Sequence, residues 1–248
     1  MNRDFSGNFF SGSVEEMTKQ AARLVISEAH RAVAERGVFT LVLSGGSSPR
    51  PLYRLLSRAV APEAMPWRDT RLFMGDERCV PPAHPDSNFR MIEESLLSSG
   101  CVPRSHCFRM RGELPDTREG ARVYEASIRE LFVSSGLPLE GGFPVFDLIL
   151  LGLGEDGHTA SLFPDNPEAI GELERWVIAV DAPNGKPPGK RLTLSLPVIN
   201  HARCVLFIAS GRQKRVLAEK ISRGACEGLP AALVAPQSGR LFWFAAQP

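Results

Sequence analysis

Short apolar runs alternate with longer amphipathic stretches through most of the chain, a pattern that predicts strands separated by helices. Between Val14 and Arg36, Val14, Met17, Ala21, Leu24 and Val33 recur at helical intervals. Ser13 and Glu16 have the spacing of a capping box, and Gly37 stops the helix. Phe39–Leu43 is a short apolar strand closed by Ser44-Gly45-Gly46. Pro49, tolerated in a first helical turn, then leads into a helix carrying Leu52, Leu55 and Leu56. Arg71–Met74 predicts a strand ending in the polar turn Gly75-Asp76-Glu77-Arg78, after which Asp86 or Ser87 caps a helix through Leu97. Pro115 to Phe132 is another amphipathic helix. Phe146–Leu151 is the most apolar strand and runs into the turn Gly152 to His158. Trp176–Val180, Arg191–Leu196, Cys204–Ala209 and Leu241–Phe244 read as further strands, with a helix over Gln213–Ser222 between the last two.

Continuous apolar strands alternating with helices imply an α/β fold. We expect a mostly parallel sheet flanked by helices on both faces, in a modified Rossmann-like arrangement. No linker, repeat or low-complexity tract divides the chain, so residues 1–248 read as a single domain. Ala182 to Gly189, rich in proline and glycine, is expected to be a surface loop beside the site.

Composition narrows the partners. Hydrophobic residues at 43% and charged residues at 23% are ordinary globular values and exclude a disordered chain. The net charge of +1 supplies no general field for nucleic acid or an acidic membrane, so an anionic ligand must be held by a few placed cations. The five cysteines are odd in number and include no CxxC pair, which suggests neither a disulfide framework nor a zinc knuckle. No metal or other cofactor is expected. The N-terminal segment to Ser13 has no apolar leader core, and no apolar stretch reaches transmembrane length. A cytoplasmic location is therefore expected, with neither membrane nor nucleic acid as partner. Nothing in the sequence specifies an oligomeric state.

In open α/β sheets ligands sit beyond the carboxyl ends of the strands, so polar turns that follow strands are expected to converge. Ser44-Gly45-Gly46-Ser47 lets the backbone approach an anion, adds hydroxyl donors and precedes a helix N-terminus. It is not a Walker A loop, because no Gly-Lys-Ser/Thr follows. Asp76, Glu77 and Arg78, followed by Asp86-Ser87-Asn88, combine carboxylates with a guanidinium, suited to acid/base work and to binding an oxyanion or phosphate. The third turn has glycines at 152, 154 and 157, which fit a dinucleotide fingerprint, with Asp181 at about the expected spacing. Pro164 and Pro167 interrupt the helix that fingerprint needs, and Glu155 and Asp156 would repel a pyrophosphate. His158, two residues from Asp156, suits proton transfer near neutral pH instead. Lys214, where a strand opens into a helix, can contact a phosphate. His30, His84, His106 and His201 are read as structural.

Taken together, Leu43–Tyr53, Gly75–Asn88, Phe146–Pro164 and Gly189–Ile199 resemble the 6-phosphogluconolactonase family in order and spacing, most specifically in GLGEDGHTASLFP. The resemblance implies hydrolysis of 6-phospho-D-glucono-1,5-lactone to 6-phospho-D-gluconate in the oxidative pentose phosphate pathway. It carries His158 over as general base, Asp156 as its orienting partner or a contact to sugar hydroxyls, and Arg78 as a phosphate or oxyanion ligand. Ser44, Gly45, Gly46, Ser47, Arg191 and Lys214 become phosphate ligands, and Asp76, Glu77 and Asn88 further substrate contacts. The partner so implied is a small phosphorylated sugar lactone. Related glucosamine-6-phosphate deaminases and isomerases carry a Glu five residues after the His, where this chain has Phe163. The alternatives are such a deaminase or isomerase, or a non-catalytic sugar-phosphate sensor on the same fold.

Overall fold

The computed structural model describes residues 8–58 and 64–247. Residues 1–7, part of the N-terminal segment to Ser13, lie outside the described residues. In chain order the elements are β1 (Phe9–Ser13), α1 (Val14–Arg36), β2 (Phe39–Leu43), α2 (Arg50–Leu56), β3 (Thr70–Met74) and β4 (Asp76–Arg78). Next come α3 (Asn88–Ser95), β5 (Cys107–Phe108), α4 (Thr117–Ser134), β6 (Leu139–Glu140), β7 (Phe143–Pro144), β8 (Leu148–Leu151) and α5 (Pro167–Ile170). The remainder is β9 (Val177–Ala182), β10 (Gly189–Leu194), α6 (Leu196–Asn200), β11 (Cys204–Ser210), α7 (Arg212–Ser222) and β12 (Arg240–Gln247).

A seven-stranded sheet in the order β1-β12-β11-β8-β2-β3-β5 forms the centre, and every one of its pairs is parallel. This is the α/β arrangement that the apolar runs imply. β2 and β8 are buried along their whole length, as strands covered on both faces must be. α1 packs against β2 and β12, and α7 against β11 and β12. The capping box forms as its spacing requires: Ser13 Oγ accepts from the Glu16 N–H at 3.2 Å, and Glu16 accepts from the Ser13 N–H at 2.9 Å. Gly37 closes α1 in the left-handed region at φ 73°. Among the described residues no helix is long and apolar enough to cross a membrane.

Three features depart from the sequence reading. The polar run Asp76–Arg78 is a strand rather than a turn, paired antiparallel with β10. β9 and β10 lie outside the central sheet and form, with β4, a separate antiparallel sheet in the order β4-β10-β9. β1 carries no sequence prediction because it is short and partly polar, yet it joins the sheet edge beside β12. Helix and strand ends otherwise shift by a few residues, as with α4, where Asp116 provides the cap by accepting from the Arg118 N–H.

Several buried contacts fix the carboxyl ends of the strands, where the loops begin. The Tyr53 hydroxyl accepts from the Ser44 N–H at 3.0 Å and donates to the Ser44 carbonyl at 2.7 Å, clamping the peptide just beyond β2. Tyr124 does the same for Met74 at the end of β3, at 2.7 and 3.1 Å. Burial pushes both phenols well above their ordinary pKa, so each stays neutral and keeps its hydrogen.

Glu77 makes the densest of these joints. Its carboxylate is buried and accepts from the N–H groups of Arg78, Asn88 and Phe89 at 2.7, 2.7 and 2.8 Å, and from Ser87 Oγ at 3.0 Å. It therefore caps the first turn of α3 from the neighbouring strand, satisfying N–H groups that a helix start leaves unpaired. Burial raises the Glu77 pKa, the backbone donors pull it back, and the adjacent Asp76 charge adds to the rise.

Replacing Glu77 with Gln puts an amide N–H2 where two donors need an acceptor, whichever oxygen is lost. Stability at neutral pH should fall by about 1–3 kcal/mol in urea denaturation. With the folded-state pKa above the unfolded one, the pH-dependent part of the stability this carboxyl contributes is fully present below the unfolded value. It is lost as pH rises through the raised folded value. The gap between wild type and Glu77→Gln should accordingly widen on acidification, and a gap constant with pH would contradict the assignment.

Candidate active site

A cleft of about 710 Å³ opens where the loops after β2, β8 and β11 meet the edge of the small antiparallel sheet. The loop after β2 contributes Ser44, Gly45, Gly46 and Ser47. Its next residue, Ser48, joins Ser210 at the end of β11 through its hydroxyl at 2.9 Å, and accepts the Ser210 N–H at 3.1 Å. Gly45 is obligatory here, because a Cβ on it would lie 1.9 Å from Oδ1 of Asn88.

β4 and β10 supply the second wall. Asp76, Arg78, Asn88 and Arg191 all line the cleft. Arg78 donates to the Asp86 carbonyl, and Arg191 donates to the Pro187 carbonyl. Arg191 is buried, and burial first and the nearby Arg78 cation second draw its pKa below the usual arginine range. Two guanidiniums held this close in a partly dry site are poised for an anion that would relieve their repulsion. Glu77 does not line the cleft: its oxygens are spent on the α3 joint, so the expected substrate contact gives way to a supporting role.

The third wall is the loop after β8. His158 Nδ1 stands 2.6 Å from Asp156 Oδ1, which also accepts the His158 N–H at 3.2 Å. An ionised carboxylate accepts only, so Nδ1 carries the hydrogen and Nε2 keeps its lone pair. The imidazole lies against Phe163, with ring centroids 4.5 Å apart. Gly154 leaves the room this needs, since a Cβ there would come within 2.1 Å of His158 Nδ1. Gly157 takes φ 84°, and its carbonyl accepts from the Ala231 N–H at 3.0 Å, tying the loop to the segment after α7.

Lys214 lines the cleft from the first turn of α7, which starts at Gly211 with no side-chain cap over its N–H groups. Eleven of the twelve residues singled out by sequence therefore border one space, and Glu77 stands behind it. The sequence reading missed Lys186 and Asn184, which line the cleft from the loop between β9 and β10. That loop has no periodicity to aim a side chain, although its proximity to the site was expected; Asn184 is pinned there by donating to Asp165 at 2.6 Å. Ser161 was also missed, being embedded in an apolar stretch. Among the described residues no group of three or more His, Cys, Asp or Glu side chains is placed to hold a metal ion.

Comparison with known proteins places the chain in a family. Residues 12–243 match the family described as glucosamine-6-phosphate isomerases/6-phosphogluconolactonase. The chain is 42% identical over 240 residues to a 6-phosphogluconolactonase of Homo sapiens, covering 95% of this chain and 88% of the relative. To the 6-phosphogluconolactonase of Synechocystis it is 40% identical over 230 residues, covering 92% and 90%. The crystal structure of 6-phosphogluconolactonase from Thermotoga maritima superposes with a TM-score of 0.81 at 28% identity, over 96% of this chain and 98% of that one. The enzyme from Trypanosoma cruzi gives 0.82 at 30% identity, over 98% and 95%. With this likeness over nearly the whole chain, the chain belongs to the glucosamine-6-phosphate isomerase/6-phosphogluconolactonase family.

Proposed function

We propose that this cleft hydrolyses 6-phospho-D-glucono-1,5-lactone to 6-phospho-D-gluconate, the step that opens the lactone in the oxidative pentose phosphate pathway, with His158 as general base. The observation that carries the reading is the 2.6 Å contact between His158 Nδ1 and Asp156, which leaves Nε2 basic in a cleft rich in cations. Nε2 takes a proton from water, and the hydroxide adds to the lactone carbonyl carbon. The charge on the carbonyl oxygen is met by Arg78. When the tetrahedral centre collapses, the bond from carbon to ring oxygen breaks. The imidazolium returns its proton to that oxygen, leaving a free hydroxyl and a carboxylic acid, which releases its proton to solvent to become the carboxylate. Asp156 keeps the ring in the productive tautomer and offsets the imidazolium charge.

The phosphate belongs against the Ser44–Ser47 loop, with Lys214, Lys186, Arg191 and the uncapped N-terminus of α7 facing it. Asp76 and Asn88 face the sugar. Phe163 favours hydrolysis over deamination or isomerisation, because an apolar ring packs on His158 where the related deaminases carry a carboxylate. The same reading places the reaction in the cytoplasm, with a small phosphorylated lactone and neither nucleic acid nor membrane as partner.

His158→Ala should lower kcat by about 10²–10⁴-fold with little change in substrate affinity, measured against spontaneous lactone hydrolysis. A folded His158→Ala protein with wild-type kcat would remove the base from the mechanism.

The phosphorylated lactone should be strongly preferred over gluconolactone in kcat/KM. Lys214→Ala and Arg191→Ala should each erode that preference, mainly through KM where the phosphate is held equally in ground and transition states. Equal kcat/KM for the two lactones would take the phosphate out of the reading.

Activity should survive prolonged chelation and dialysis. Loss on chelation with recovery by a divalent ion would overturn the mechanism while leaving the substrate in place.

A further inference from the structure

Asp76 faces the cleft as a carboxylate with neutral partners on both oxygens. Asn88 Nδ2 donates to Oδ1 at 3.1 Å and to the Asp76 carbonyl at 3.0 Å. Ser161 Oγ donates to Oδ2 at 2.7 Å. Among the described residues no Lys, Arg or His forms an ion pair with Asp76. Its orientation thus rests on two neutral donors from different elements, and each carboxylate oxygen retains lone-pair capacity for a further donor.

Ser161 is placed for this task with unusual backbone cost. Thr159 and Leu162 form an isolated antiparallel bridge, with N–H to carbonyl distances of 3.3 and 2.9 Å, so Ala160 and Ser161 are the two central residues of a tight turn. Ala160 sits at φ 48°, in the left-handed region that a residue with a Cβ seldom adopts. A strained position persists where its surroundings hold it, and here the Ser161 N–H donates to Thr193 Oγ1 at 3.2 Å. Thr193 stands directly opposite Asp76 in the β10–β4 register. Ser161 therefore bridges two cross-strand neighbours, one through its N–H and one through its hydroxyl. Ser161 and Thr193 are both buried, so water does not substitute for either bond. His158 immediately precedes this turn, so Ser161, which holds the carboxylate, lies three residues after it.

We propose that Ser161 is a positioning residue: it locks the Asp76 carboxylate into the one rotamer that accepts hydrogen bonds from hydroxyls on the sugar ring. The proposal rests on the reading of the cleft as a site for a phosphorylated sugar lactone. The Ser161 hydroxyl donates its one hydrogen to Asp76, and Ser161 acts through that carboxylate. Substrate discrimination against the ring's polyol face is then set jointly by β4 and the loop that carries His158.

A double-mutant cycle between Ser161→Ala and Asp76→Asn tests it, with kcat and KM measured on the phosphorylated lactone and thermal melting on each protein. Ser161→Ala should lower kcat/KM by about tenfold, the worth of one hydrogen bond to a charged group. In the Asp76→Asn background the same change should have almost no further effect, because the group it orients has changed. Ser161→Cys, which keeps the volume and only a weak donor, should fall between wild type and Ser161→Ala and serves where the alanine protein does not fold. Effects that multiply across the cycle, or wild-type kinetics in a folded Ser161 variant, would overturn the proposal. A wild-type protein inactive on the lactone would instead overturn the functional reading, and calorimetric titration with 6-phosphogluconate would then show whether Ser161 and Asp76 still couple in binding.

Discussion

Glu77 is removed from water where β4 meets α3, and the cleft depends on the four donors that make this tolerable. An isolated buried carboxylate is costly, and the hydrogen-bond demand of a helix start is also costly; each meets the other's need. The consequences spread along the chain from this joint. Arg78, the next residue, is anchored by its own N–H, and Asn88 is anchored by its N–H, so both cleft side chains leave fixed backbone. Asn88 in turn holds Asp76 and fills the space beside Gly45. Loosening one carboxylate would therefore disturb Arg78, Asp76 and the loop around Gly45 together.

The central sheet provides the rigid edge on which these loops stand. In a parallel sheet all carboxyl ends lie on one side, which brings the loops after β2, β8 and β11 into one crevice. Tyr53 and Tyr124 pin the terminal peptides of β2 and β3 from inside the core, so the loops begin at defined points. The small antiparallel sheet then closes one side of the crevice, and it delivers Asp76, Arg78 and Arg191 on adjacent strands. Loop flexibility is limited further by close packing: Gly45 and Gly154 are positions where even a methyl group would strike Asn88 or His158.

The chemistry follows from an uneven distribution of charge in a molecule whose net charge is +1. Four cations, Arg78, Lys186, Arg191 and Lys214, border one cleft, while other arginines are occupied elsewhere, as Arg36 is by the buried Asp147. Local placement therefore does what a global field would do in a more basic protein. Within that positive surrounding, Asp156 gives His158 a carboxylate hydrogen-bond partner, and Phe163 presents an apolar face to the ring. The imidazole is thereby held in one tautomer with its second nitrogen available.

Much of this was legible in the residues themselves. Apolar runs ending in Ser44-Gly45-Gly46 and in Gly152 to His158 marked strand ends with chemistry attached, because turn glycines and strand periodicity are local properties. The spacing of Asp156 and His158 was enough to suggest their pairing, since both lie in one short loop. Lys186 and Ser161 were not legible, because the former lies in a loop without periodicity and the latter is aimed by a turn tied to Thr193 and Asp76, on other strands. Asp76 and Glu77 show the division most clearly. As a sequence they are two adjacent acids, chemically alike, and a turn would expose both. The tertiary structure draws them into β4 by pairing with β10, and successive residues of a strand point to opposite sides. One carboxylate is turned to the cleft and the other beneath α3, a choice made by strand pairing that no local pattern contains.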